Sequence, residues 1–230
     1  MDVGLWLDES QLRLLGRLLL LLAVPMGVAM SFFGPRKPPK DALPRGFQAP
    51  MLAIELPRSA DEVETILQVS GGARRMKNGL LLDLGIILIY ASVLVALGVL
   101  LVQGPAPAAG RIAGAVAAVL GTLAGLLDIV ENVRIWKAID GARDDASLQA
   151  LTRVSLWKWG LLAVAFLLLA GLFLLEGRMA GVLAGLSLVT GVVGLLGLKR
   201  PPLLERAMLL MVVTILVALT SFAFWPGSLR

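Results

Sequence analysis

Asp128, Glu131 and Asn132 lie within five residues of one another inside the apolar run Leu126 to Val133. Two carboxyl groups and an amide at that spacing can hold a cation or a proton, pair with a charged lipid headgroup, or lock neighbouring helices. An ionisable side chain is expensive in hydrocarbon, so such a cluster is a functional-site candidate by default. Asp83 and the single tyrosine, Tyr90, stand in a second apolar run, and Arg153 and Lys158 stand where another begins. Cysteine and histidine are both absent, which excludes disulfides, thiolate nucleophiles, imidazole bases and the usual zinc ligand sets. Chemistry therefore falls to carboxylates, Lys, Arg, Ser, Thr and Tyr, and neither a metal nor a cofactor is expected.

The elements that position these residues follow from composition. With 58% hydrophobic and 16% charged residues in a chain of 230, there is more apolar surface than one soluble core would bury. The fold class is therefore all-α, a polytopic membrane bundle forming a single transmembrane domain. A window of about 19 residues, enough to cross the hydrocarbon, finds six transmembrane helices over roughly 12–33, 80–102, 111–136, 157–175, 179–198 and 207–225. The first has an acidic start, with Asp2, Asp8 and Glu9 where a secretory signal carries positive charge, and is read as a retained span. Pro25 is expected to kink it.

Orientation follows from the basic residues. With the N-terminus outside, sixteen of the 21 Lys and Arg face the cytoplasm, leaving Arg13, Arg17, Arg111, Arg178 and Arg230 on the outer side. Trp136, Trp157 and Trp159 then mark the cytoplasmic interface, and Trp6 and Trp225 the outer one. A basic stripe with interleaved aromatics is missing, so nucleic acid is not an expected partner.

The loop 34–79 is the only sizeable polar segment. Its start, Gly34 to Lys40, is too proline-rich for a helix and should run extended along the headgroups. Ser59-Ala60-Asp61-Glu62 reads as a capping box opening a short amphipathic helix, with Val63, Ile66, Leu67 and Ser70 on one face and Gly71-Gly72 ending it. Met51 to Ile54, between Pro50 and Pro57, is apolar enough to anchor on the membrane surface or to cover a cytoplasmic cavity. The surface anchor is the simpler expectation.

At about 100° per residue, Gly110, Gly114, Ala117, Gly121, Gly125, Asp128 and Asn132 share one narrow face of the third span. The pairs Gly110 with Gly114 and Gly121 with Gly125 let another helix approach closely. Asp128 and Asn132 should therefore face protein, with Glu131 on the neighbouring edge. Asp83, expected one turn into the second span, and Tyr90 about two turns on share a face there. The reading is a polar cluster at the cytoplasmic ends of spans two, three and four, in which Asp83, Asp128, Glu131, Asn132 and Tyr90 meet Lys158, Arg153 and Arg134. Gly177, Gly181 and Gly185 of the fifth span are ascribed to close helix packing.

Known catalytic spacings are missing. The chain has no P-loop, G-x-S-x-G or H-E-x-x-H motif, and Asp128-x-x-Glu131 does not match the long paired acidic motif of CDP-alcohol transferases. Leu52 to Leu56 and Ser59 to Leu67 in the loop, Asp83 opening a span, and Asp128-x-x-Glu131-Asn132 together resemble uncharacterised bacterial multipass membrane proteins from high-GC genomes, over about residues 50 to 170. That resemblance implies no activity, cofactor or partner. The expectation is an integral protein of a bacterial inner membrane, without enzymatic activity and with a structural or accessory role. The alternatives are a carrier or lipid- or ion-binding protein using the acidic cluster, or a metal-dependent lipid-modifying enzyme. Partners are the lipid bilayer and either another membrane protein or a second copy of the chain.

Overall fold

The computed structural model describes residues 7–103, 108–174 and 178–226. Within lipid a backbone amide has no water to bond, so an apolar segment that crosses must satisfy itself as a helix. Six long helices do so: α1 (Glu9–Phe33), α4 (Ala73–Gln103), α5 (Ala108–Ile139), α6 (Asp145–Phe173), α7 (Arg178–Lys199) and α8 (Pro202–Phe224). Between the first two lie a single 3-10 turn at Pro44–Gly46 and two short helices, α2 (Pro50–Glu55) and α3 (Ala60–Val69). Among the described residues there is no strand. Trp6, Gly177 and Arg230 lie outside the described residues, as does Asp2.

Each long helix packs on the next in sequence, and α1 closes the series by packing on both α4 and α8. The result is a ring of six helices. Their outer faces carry Leu21, Val24, Ile112, Val119, Leu196 and Leu209, all well exposed, as a lipid-facing surface requires. Several helices outrun the expected spans at the loop end. α4 begins at Ala73, ten residues before Asp83, and α6 begins at Asp145, twelve residues before the apolar stretch.

The glycine seam packs where its angles put it. Gly110, Gly114, Ala117, Gly121, Gly125, Asp128 and Asn132 are all buried on α5. A Cβ added at Gly121 would lie 2.7 Å from Leu94 Cβ, and one at Gly114 would lie 2.9 Å from the Gly98 carbonyl oxygen, so the seam faces α4 at a separation only glycine permits. Gly98 is the partner glycine, since its own added Cβ would sit 2.6 Å from the Gly114 oxygen. The fifth span departs from expectation: Gly181 and Gly185 are exposed with nothing within 4 Å of an added Cβ. Close packing on α7 comes instead from Gly191 and Gly194, which meet Leu167 and Ala163 of α6.

Residues 34–72 fold as a layer under one end of the ring, and the rest of the expected loop, 73–79, opens α4. Ser59 caps α3 by accepting from the Glu62 N–H at 3.2 Å, while Glu62 reaches back to the Arg58 N–H at 2.9 Å, one residue before the position a full capping box uses. Val63, Ile66, Leu67 and Ser70 are buried, and Gly71 and Gly72, at φ 91° and 93°, turn the chain into α4. Arg143, after α5, pairs with Glu64 of α3 at 2.8 Å, and Lys77 pairs with Asp140. The proline-rich stretch is not helical, as expected, and its Arg36 N–H donates to the Ser70 carbonyl at 2.8 Å.

Candidate functional site

The six residues of α2 decide the shape of the site. Proline at its first turn gives up no backbone bond there. The free N–H groups of Gln48 and Ala49, just ahead of it, both donate to one carboxylate oxygen of Glu205, at 2.6 and 2.7 Å. Glu205 lies in the first turn of α8, so the far end of the chain caps this helix. At its other end the Glu55 carbonyl accepts from Ser155 Oγ at 2.8 Å, the Pro57 carbonyl from Thr152 Oγ1 at 3.3 Å, and the Leu56 carbonyl from Arg45. Leu52, Ala53 and Ile54 are fully buried. The segment is therefore not a surface anchor; with both ends bonded to the ring, it closes the loop-side mouth.

Lys158 stands at the centre of what α2 covers. It is 3% exposed, and its ammonium meets Asp128 Oδ1 at 3.0 Å, Glu55 Oε2 at 3.2 Å and Glu131 Oε2 more closely still. The second Asp128 oxygen accepts from the Tyr90 hydroxyl at 2.8 Å, and Asn132 donates to Asp83 at 2.9 Å. Trp159 Nε1–H donates to Glu55 at 2.9 Å. Removal of Glu55 from water pushes its carboxyl above the ordinary range, against the opposing pull of Lys158. Three carboxyl groups thus surround one ammonium, and a fourth, Asp83, joins the cluster through Asn132. Glu131, fully buried, still has one oxygen without a hydrogen-bond partner among the described residues.

Of the residues singled out from sequence, Asp83, Tyr90, Asp128, Glu131, Asn132 and Lys158 come together. Arg153 does not. It is exposed and lines a separate surface groove with Arg58, Asp145 and Gln149, because five residues of helix rotate it about 140° from Lys158. Arg134 is half-buried, and its Nε lacks a partner among the described residues, so it does not neutralise the acids either. Trp159 turns inward at 4% exposure, whereas Trp157 is 69% exposed at the interface. Glu55 is the participant sequence reasoning missed. The available signal was a charge set directly between Leu52-Ala53-Ile54 and Leu56-Pro57, an awkward place for a solvated glutamate.

Beside the cluster lies a chamber of about 340 Å³. Glu55, Asp83, Tyr90, Asp128 and Lys158 form its polar wall, while Met30 of α1, Met51 of α2, Ile86 of α4, and Met208 and Met211 of α8 make up much of the rest. Leu209 and Val212 also line it and are 64% and 42% exposed, so the chamber reaches the apolar surface of the ring beside α8. Among the described residues no three carboxylates are placed to hold a metal ion together. A pocket with an apolar body and a few convergent polar groups is suited to a small molecule. Compared with protein-family models, curated proteins and solved structures, the chain finds no match.

Proposed function

We propose that this chain is a ligand-binding protein of a bacterial inner membrane, a carrier or a lipid- or ion-binding protein, with its N-terminus outside and the α2–α3 layer in the cytoplasm. The observation that carries the reading is the chamber of about 340 Å³ with an acidic wall. A polar cluster that served only to lock helices has no need of an adjoining pocket whose apolar lining opens onto the surface of the ring. The orientation is supported by the concentration of Lys and Arg at the loop end.

The second reading, a structural or accessory component that joins another membrane protein or a second copy, is favoured by Lys158 alone, which ties α2, α5 and α6 together through three carboxylates. A thermal-shift screen of cations, lipids and metabolites on the purified protein separates the two. A ligand-binding protein is stabilised by at least one of them, and that stabilisation disappears in Asp128→Asn with Glu131→Gln while the fold persists. A structural lock shows a lower melting temperature in that double variant and no ligand-dependent shift in either protein.

A further inference from the structure

Counting charges at the chamber wall singles out one acid. Lys158 serves Asp128, Glu131 and Glu55, but among the described residues no Lys or Arg pairs with Asp83. Its partner is the Asn132 amide, which satisfies a lone pair without cancelling charge. The unpartnered oxygen of Glu131 shows the same shortage of donors deeper in the cluster. At membrane depth an uncompensated carboxylate takes up a proton or a cation.

The chamber's size and lining restrict which cation. At about 340 Å³ it has room for roughly ten water molecules at about 30 Å³ each, far more than a bare inorganic ion fills. Three of its walls carry methionines, whose flexible thioethers adapt to varied apolar shapes. It also reaches the lipid-facing surface at Leu209 and Val212. An inorganic ion would leave this apolar wall unused; a cation with a hydrocarbon body would cover it.

We propose that the chamber takes an amphiphilic organic cation, its ammonium against Asp83 and its hydrocarbon body among Met30, Met51, Met208 and Met211. This rests on the ligand-binding reading above and names the class of ligand. The recognition is a charge-assisted hydrogen bond at one end and apolar burial along the rest.

The test uses the full chain in detergent with methyl-, butyl-, hexyl- and octylammonium, with sodium, potassium and magnesium chloride, and with octanol as the uncharged control. Thermal unfolding reports binding, as does tryptophan emission in a variant whose other four tryptophans are replaced by phenylalanine, leaving Trp159, whose ring centroid is 5.2 Å from the Lys158 ammonium. The expected result is affinity rising about fourfold per methylene buried, from about 0.8 kcal/mol each, with no response to octanol. Asp83→Asn, which keeps an oxygen for Asn132, weakens every amine by tenfold or more. Met208→Gln weakens octylammonium and leaves methylammonium unchanged, a readout that does not depend on the buried charges. Stabilisation by an inorganic ion but not by the amines overturns this inference and leaves the ligand-binding reading standing. Equal responses to octanol and octylammonium, or an unaltered affinity in Asp83→Asn, also overturn it. No response to any cation, lipid or metabolite overturns both.

Discussion

Replacing Lys158 with methionine keeps most of the side chain's apolar length and removes the one positive charge that three carboxyl groups share. At the observed 3.0 Å to Asp128, an ion pair in a medium of effective dielectric about 20 is worth roughly 5 kcal/mol before desolvation. Part of that is returned because the ammonium no longer has to leave water. Breaking a buried pair by deleting one partner costs about 3–5 kcal/mol net, since the other charge stays behind uncompensated. At about 2–4 °C per kcal/mol for a chain of this length, the melting temperature should fall by about 6–20 °C, followed by tryptophan fluorescence in detergent. Glu131→Gln on the Lys158→Met background removes one stranded carboxylate and should recover part of the loss, a coupling of about 0.5–3 kcal/mol. Arg153→Met, on an exposed side chain outside the cluster, should stay within about 0.5 kcal/mol of the parent. The reasoning is refuted if Lys158→Met lies within about 1 kcal/mol of the parent, below the range expected for a broken buried pair, or if the two changes simply add.

The seam between α4 and α5 gives a second outcome: Gly121→Val drives a methyl into Leu94 and should cost about 1–3 kcal/mol in thermal unfolding, whereas Gly181→Ala, in open space, should cost nothing and gain up to about 1 kcal/mol of helix propensity. Hydrogen bonds from Arg143 and Gln68 hold the Glu64 carboxyl below its ordinary range, so the stability it lends α3 is complete above the usual glutamate range and is lost as pH falls through the depressed value. Amide-exchange protection of α3 should fall over that window, and Glu64→Gln should abolish the fall; identical profiles in the two proteins would count against the Arg143 contact. Because the chain has no native cysteine, single cysteines at Ser10 and Lys40 report orientation directly. Impermeant maleimide should label the first from outside intact cells and the second only after lysis, and the reverse pattern would invert the topology.

Hydropathy locates the six long helices because each exceeds the length needed to cross, and the angular reading of α5 places Asp128 and Asn132 inward because seven positions agree on one face. Asp83, Tyr90 and Lys158 were reachable by the same geometry. Arg153 was legible too: five helical residues, about 140°, separate it from Lys158, so the two could not share a site on one straight helix. Glu55 was not. A helix of six residues between prolines has no periodicity to read, and its burial depends on Glu205, Ser155 and Thr152, more than 90 residues away in sequence. The misread glycines of α7 have a similar cause. Small residues permit close approach, but only the path of the neighbouring helix decides which of them meet it.

The closure of the ring between α1 and α8 sets an order for biogenesis. α1 is made well before α8, yet the two are neighbours: a Cβ at Gly16 would lie 2.6 Å from the Ala223 backbone nitrogen. Until α8 inserts, α1 presents an unfilled flank, α2 lacks the carboxylate that caps it, and the chamber lacks Met208 and Met211. In the interval before α8 arrives, the Lys158 ion pairs among α2, α5 and α6 can already form, while the chamber still lacks the wall that α8 supplies.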